Sequence, residues 1–332
     1  MRAAIRRFGY ATATGTAALG TAWLYSQAKD ARGPPHALKP QQLLQSSLIS
    51  KHWVSGDTVR LRFALPSSEH VLGLPVPGHL VVVDAATNYR PYSPITIDSK
   101  AVGFFELLVR KYPRGEFSSQ LARMEPGDQA TFAGPLASRF EYHRGAARHL
   151  GLIAAGTGIT PMWQIIQAAL DDPEDQTRLS LVYASRSPEQ IMLREELDRA
   201  ALAHPDRLQV RYIVSSAGST DGDVVGTDGR VTVPDLPVGV CLGRIDAGVL
   251  QKEMVEREAS HILVCGPESM VRELCGPVAR DGGFNERFIA GAPPETPQSD
   301  GQTTRETPHG HARERGGVLA MLGYRPEQIS WL

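Results

Sequence analysis

Between residues 59 and 65 apolar and polar positions alternate, with Val59, Leu61, Phe63 and Leu65 on one side, the period of a strand with one buried face. Shorter runs at 79–83, 104–110 and 129–133 have the same character and are bounded by Gly, Pro, Asp or Asn. One short helix, from Gly115 to about Met124, lies among them, and no long helical pattern interrupts the series. Many short strands separated by turns predict a closed or nearly closed antiparallel β-barrel over residues 41–145.

Near residue 148 the pattern changes. An apolar run at 150–155 leads into Gly156-Thr157-Gly158, and residues 162–170 then have helical spacing. Strand-like runs follow at 179–184, 208–214 and 261–265, with a helix expected over 188–201. Strands alternating with helices predict a parallel sheet covered on both faces, so residues 146–332 read as an α/β domain. Within it, residues 290–315 are rich in Pro, Thr, Gly, Glu and Gln, which predicts a disordered insertion. Packing is expected to resume at 316, through Val318, Leu319, Leu322 and Ile329.

The start of the chain has a third character. Arg2, Arg6 and Arg7 precede residues 8–28, which carry no charge and end at Lys29 and Asp30. At 1.5 Å per residue such a stretch crosses a bilayer core of about 30 Å as a helix. It consists mostly of Ala, Thr and Gly, with Leu19, Trp23 and Leu24 its strongly apolar members after Phe8. An Arg- and Thr-rich, acid-free start also has the character of a mitochondrial targeting segment, and a disordered tail is the plain alternative. Residues 33–40 form a Pro-rich spacer, so residues 1–40 are expected to be anchor and linker.

Composition narrows the function classes. The 332 residues include 35 Lys and Arg against 36 Asp and Glu, which argues against nucleic acid as a partner. Cys241, Cys265 and Cys275 are too few for a disulfide framework, and no His/Cys spacing suggests a metal site.

Four strings carry candidate chemistry. Arg90-Pro91-Tyr92-Ser93-Pro94 supplies a cation, an aromatic face and a hydrogen-bonding hydroxyl within one strand-like segment, the set a flavin demands of its site. Gly115-Glu116-Phe117-Ser118 opens a helix whose first amides and dipole favour a phosphate. Gly156-Thr157-Gly158-Ile159-Thr160-Pro161 joins a strand to a helix, with Thr160 expected as N-cap and Pro161 as first helical residue. It departs from the ordinary dinucleotide fingerprint, because Pro161 stands where the third Gly would be. Cys265-Gly266-Pro267 follows a buried strand and precedes a helix containing Met270, which puts the thiol at the carboxyl end of a parallel strand, where α/β sheets bind ligands. Alone, each string has an ordinary structural meaning: a kinked turn, a Ser cap, a tight loop, a small core residue.

Together and in this order they resemble the ferredoxin-reductase-like flavoproteins, and within them the NADH-cytochrome b5 reductase family in its mitochondrial form, over about residues 45–285 and again from 316. The resemblance implies an FAD site made by Arg90, Pro91, Tyr92, Ser93, Leu108, Arg110, Tyr112, Gly115, Phe117 and Ser118. It implies a pyridine-nucleotide site made by Gly156, Thr157, Gly158, Thr160, Pro161, Cys265, Gly266, Pro267 and Met270, with Cys265 and Ser93 at the reacting atoms. NADH is the implied donor. Arg186, in Ser185-Arg186-Ser187 after the second strand of that domain, leaves NADPH open: it can meet a 2′-phosphate or simply face solvent.

Hydride would pass from NAD(P)H to FAD, and single electrons would pass on to cytochrome b5 or a similar haem protein. The same resemblance, with residues 8–28, implies a monomer held at a mitochondrial membrane, outer membrane or intermembrane space, with the endoplasmic reticulum as the alternative. Some features depart from the pattern. Glu268 replaces a second Pro found in many members, Trp331 and Leu332 stand offset by one from a family Phe, and residues 241–249 have no clear counterpart. A reductase for another acceptor is one rival reading; the altered position 268 and the altered terminus motivate another, a flavoprotein scaffold for membrane-complex assembly that has lost turnover.

Overall fold

A computed structural model describes residues 33–86, 88–216, 239–253, 260–276 and 317–332. The expected anchor at 8–28 and the expected insertion at 290–315 lie outside these residues. Among the described residues no helix is long and apolar enough to cross a membrane.

The first half is a curled antiparallel sheet. Its strands are β1 (Leu43–Trp53), β2 (Thr58–Ala64), β3 (Gly78–Val83), β4 (Tyr89–Tyr92), β5 (Phe104–Arg110) and β6 (Gln129–Ala137), with α1 (Glu116–Arg123) between β5 and β6. Strand order is β4-β3-β6-β1-β2-β5. The edges β4 and β5 are not paired as strands, but the Ile95 amide, just past β4, donates to the Glu106 carbonyl of β5 at 2.9 Å. The sheet therefore closes nearly into the expected barrel. Alternation works as read: Val59, Leu61 and Phe63 of β2 are fully buried, and Phe63, Phe105 and Phe132 meet at centroid distances of 5.0–5.5 Å. The Pro-rich spacer is more than a linker, since Leu38 is buried in this core and its amide donates to the Leu72 carbonyl.

The second half holds six parallel strands in the order β10-β9-β8-β7-β11-β12. They are β7 (His149–Ala155), β8 (Arg178–Ser185), β9 (Leu208–Val214), β10 (Val240–Leu242), β11 (Ser260–Cys265) and β12 (Ile329–Trp331). Helices α2 (Ile159–Asp171) and α3 (Arg194–Ala203) cover one face, packing on Leu150, Leu152 and Ala154. Helices α4 (Ala247–Glu253), α5 (Glu268–Cys275) and α6 (Val318–Met321) cover the other, around Ile153, Ile262 and Val264. The segment 241–249, without counterpart in the family pattern, thus supplies β10 and the start of α4.

Two expectations need correction. The helix expected over 188–201 is split: Pro188–Gln190 forms a 3-10 turn, Ile191 and Met192 turn into the core, and Leu193 takes φ 55° before α3 begins at Arg194. Burying three consecutive apolar residues is incompatible with one straight surface helix, and the left-handed residue makes the break. Likewise Thr160 is not the N-cap. Gly156–Gly158 is a 3-10 turn that runs directly into α2, with Gly158 already in helical conformation as cap, so Thr160 and Pro161 lie inside the first turn.

Candidate active site

From β7 the chain moves outward through β8, β9 and β10, then returns to the other side of β7 as β11. The carboxyl ends of β7 and β11 therefore flank the point where strand order reverses, the crevice in which such sheets bind ligands. The Gly156 turn leaves β7 there, and Cys265-Gly266-Pro267 leaves β11. Gly156 has φ +55°, open to glycine at little cost. Gly158 is required by contact: a Cβ would stand 2.1 Å from the Cys265 carbonyl oxygen. The two loops thus lie backbone to backbone.

Facing them across a cleft of about 1230 Å³ is the barrel. Every residue named above for the two sites, Arg186 included, lines this one cleft. Its volume exceeds the range of about 300–1,000 Å³ common for a single small ligand and suits two nucleotides side by side.

On the barrel wall, Arg90 holds its guanidinium 5.3 Å from the centre of the Phe117 ring, over the first turn of α1. The amides of Glu116, Phe117 and Ser118 have no acceptor among the described residues, as expected of a helix start. A cation and three free donors thus converge on one spot. The Ser118 hydroxyl is not itself free, because it accepts from the Tyr112 amide at 3.2 Å and donates to the Gly115 carbonyl at 3.1 Å. It shapes the turn, and the backbone offers the donors. Burial pushes the Tyr92 phenol up to about 12, so it stays protonated at neutral pH.

The strand before this turn serves both halves. Phe105, Leu107 and Val109 of β5 face the barrel core, whereas Leu108 packs into the core of the α/β domain. Arg110, buried at the seam, has Nε 3.3 Å from Asp57 without hydrogen-bond alignment and donates to the Gln190 carbonyl at 3.4 Å. One of its nitrogens would lie 3.6 Å from a Cβ at Gly156. Arg110 thus sits against the Gly156 turn rather than on the barrel wall alone.

On the far wall, burial pushes the Cys265 thiol up to about 12. It is therefore a neutral thiol, and it donates to the Leu332 carbonyl at 3.2 Å. Leu332 lines the cleft. Trp331 does not; Arg139 stacks on its ring at 4.5 Å.

Three positioning residues carry no motif signal. Gln164, buried on α2, accepts from the Gly78 amide at 2.8 Å and donates to the Pro94 carbonyl at 2.7 Å. Gln167, one turn later, donates to the Ile95 carbonyl at 2.9 Å. These amides fasten the Arg90–Ser93 segment to the α/β domain. Tyr183, wholly buried in β8, donates to the Gly156 carbonyl at 3.0 Å and accepts from the Met192 amide, bracing the turn from below. The one available hint is a pair of glutamines spaced i, i+3 within the apolar stretch Pro161–Leu170 of that helix.

A near-barrel and a doubly covered parallel sheet, meeting at a cleft with a cationic helix start on one wall and a Gly-rich turn on the other, define a two-domain flavin- and pyridine-nucleotide-dependent oxidoreductase. Family models agree: an oxidoreductase FAD-binding domain matches residues 45–142 and an oxidoreductase NAD-binding domain matches residues 152–233. The chain belongs to the NADH-cytochrome b5 reductase family. It is 34% identical over 243 residues to NADH-cytochrome b5 reductase 1 of Candida glabrata, covering 72% of this chain and 79% of that protein. It is 35% identical over 266 residues to an NADH-cytochrome b5 reductase-like protein of Arabidopsis thaliana, covering 77% and 74%. Among solved structures, the cytochrome b5 reductase domain of Ulva prolifera nitrate reductase matches with a TM-score of 0.61 at 29% identity, covering 71% of this chain and 92% of that one. The protein is an FAD- and NADH-dependent oxidoreductase.

Proposed function

We propose that electrons from NADH leave this protein one at a time for cytochrome b5 or a similar haem protein. The observation that carries the cofactor arrangement is the convergence of Arg90 and the free amides of α1 on one wall, opposite the Gly156 turn on the other. FAD when bound supplies the redox chemistry, taking a hydride and releasing single electrons. The residues place and shield it. Arg90 and the α1 amides balance its diphosphate, Tyr92 covers the ring, and Ser93 offers a hydroxyl beside the reacting edge. Leu108 and Tyr112 complete that wall.

The turn Gly156-Thr157-Gly158 and the start of α2 through Thr160 and Pro161 receive the nucleotide's diphosphate, with Arg110 adding charge. Cys265, kept neutral by burial, presents an uncharged polarisable surface to the nicotinamide, with Gly266, Pro267 and Met270 shaping its pocket. No side chain need move a proton for hydride transfer, which fits a cleft whose phenol on one wall and thiol on the other are both held in their protonated forms. The names of the relatives support cytochrome b5 as acceptor.

Anaerobic rapid mixing with NADH should bleach the flavin, and cytochrome b5 added afterwards should be reduced. If a small chemical oxidant takes the electrons while cytochrome b5 does not, the acceptor is another protein. We further propose that the protein works as a monomer tethered through residues 8–28 to a mitochondrial membrane, on the outer membrane or facing the intermembrane space. The Arg-rich, acid-free start supports this. A fluorescent reporter carrying residues 1–35 should mark mitochondria, and a diffuse cytosolic signal would refute the tether.

A further inference from the structure

Two arginines, Arg186 and Arg244, line the cleft on the side away from Cys265. If the diphosphate lies at the Gly156 turn and the nicotinamide toward β11, the adenosine falls on the β8–β9–β10 side. The carboxyl ends of those three strands are joined into a shelf. The Ser215 amide donates to the Ser185 carbonyl at 3.2 Å and the Gly243 amide to the Val214 carbonyl at 2.8 Å. The Arg186 carbonyl accepts from the Ser216 amide at 2.9 Å and from the Ser215 and Ser216 hydroxyls at 3.2 and 3.0 Å. Three donors on one carbonyl fix the backbone of Arg186 directly after β8, and its exposed guanidinium lines the cleft.

Among the described residues no carboxylate pairs with that guanidinium. Arg244, just past β10, lines the same shelf and forms an exposed ion pair with Glu273 at 3.7 Å, which leaves Arg186 as the unpaired cation there among the described residues. A third group points the same way. The Ser185 hydroxyl lies on the cleft wall, buried and without a hydrogen-bond partner, which is costly unless a ligand completes it. A site that reads a bare ribose 2′-hydroxyl commonly places a carboxylate there, and a carboxylate repels a phosphate. Here the residues following β8 and β9 are Arg186, Ser215 and Ser216.

We propose that this shelf, with Arg186 as its principal cation and Arg244 beside it, binds the 2′-phosphate of NADPH, so that the enzyme accepts NADPH as well as NADH as hydride donor. The proposal rests on the nucleotide-site reading above and names a second substrate for that site. The test is calorimetric titration of the intact flavoprotein with adenosine 2′,5′-bisphosphate and with 5′-AMP, and steady-state reduction with NADPH and NADH. The bisphosphate should bind about tenfold or more tightly than 5′-AMP, the scale of one charge-assisted contact. Arg186→Ala should cut the NADPH-to-NADH ratio of kcat/KM about tenfold through KM, and Arg186→Lys should restore part of it.

Equal affinity for the two adenosine ligands in the unaltered protein, or a ratio that Arg186→Ala leaves unchanged, overturns the proposal. The two levels of the reading separate cleanly. A flavin that NADH fails to bleach removes the nucleotide-site reading itself. A flavin bleached by NADH, in a protein blind to the 2′-phosphate, removes this inference alone.

Discussion

Gly158 is the most tightly confined of the cleft's glycines, because any side chain there must displace the Cys265 backbone. Gly158→Ala should cost about 1–3 kcal/mol of stability, the usual scale of overpacking. It should also raise KM for NADH roughly tenfold to a hundredfold while FAD is retained, since both nucleotide loops shift. Thermal melting and steady-state kinetics check this, and a variant with the parental KM would mean that the loops separate at no expense. The cysteines make a second test. Burial pushes Cys265 up to about 12 and Cys275 up to about 11, whereas Cys241 is exposed. At pH 8 about one in a thousand or fewer of these two half-buried thiols is thiolate, so iodoacetamide should label Cys241 first. Peptide mapping that found Cys265 labelled as quickly would contradict a desolvated thiol.

Among the helices and strands, β2 is legible by its alternation, β3, β5 and β6 as short runs bounded by turn residues, and β7, β8, β9 and β11 as apolar runs between helices, whereas β1, β10 and β12 carry no separate signal. The interruption before α3 is not, because nothing in the spacing around Ile191 and Met192 separates a turned-in pair from a helical face. The start of α2 is misread for a related reason: Thr160 has the chemistry of a cap, but the 3-10 turn ahead of it extends the helical path back to Gly158. The candidate site is legible where chemistry is local, as in Arg90-Pro91-Tyr92-Ser93, and illegible where it depends on partners distant in sequence. Gln164 is 86 residues from Gly78 and 70 from Pro94. Gln164→Leu leaves a buried amide and a buried carbonyl without partners, at about 1–3 kcal/mol each. It should lower the melting temperature and weaken FAD retention by freeing the Arg90–Ser93 segment. Flavin fluorescence released on gel filtration reads the second effect, and full retention would show that Gln167 suffices.

At the scale of the molecule, burial raises the phenols of Tyr92, Tyr142, Tyr183 and Tyr212 above their ordinary value of 10, with hydrogen bonds to Asp175 and Asp198 adding to the effect at Tyr142 and Tyr212. Above that pH the unfolded chain has lost these protons while the folded chain keeps them. Stability from this source is therefore complete below about pH 10 and drains away as pH rises, by up to about 1.4 kcal/mol per pH unit for each phenol. Melting temperature followed from about pH 9 to about pH 11 should fall steeply over the upper half of that range. A flat profile would mean that the phenols titrate as if exposed.

The two domains are fastened at their centre by Gln164 and Gln167, which carry no charge, while the ion pairs Arg60–Glu196 and Lys100–Asp171 lie nearer solvent. Neutral amide bonds in a buried seam are indifferent to dissolved electrolyte, which weakens exposed charge pairs over a Debye length of about 10 Å at 0.1 M. Raising ionic strength should thus leave the separation between the two cofactor walls as it is. With FAD bound and NADH saturating, any slowing of turnover that accompanies added salt then measures the encounter with an incoming protein acceptor, not a loosening of the machine that feeds it.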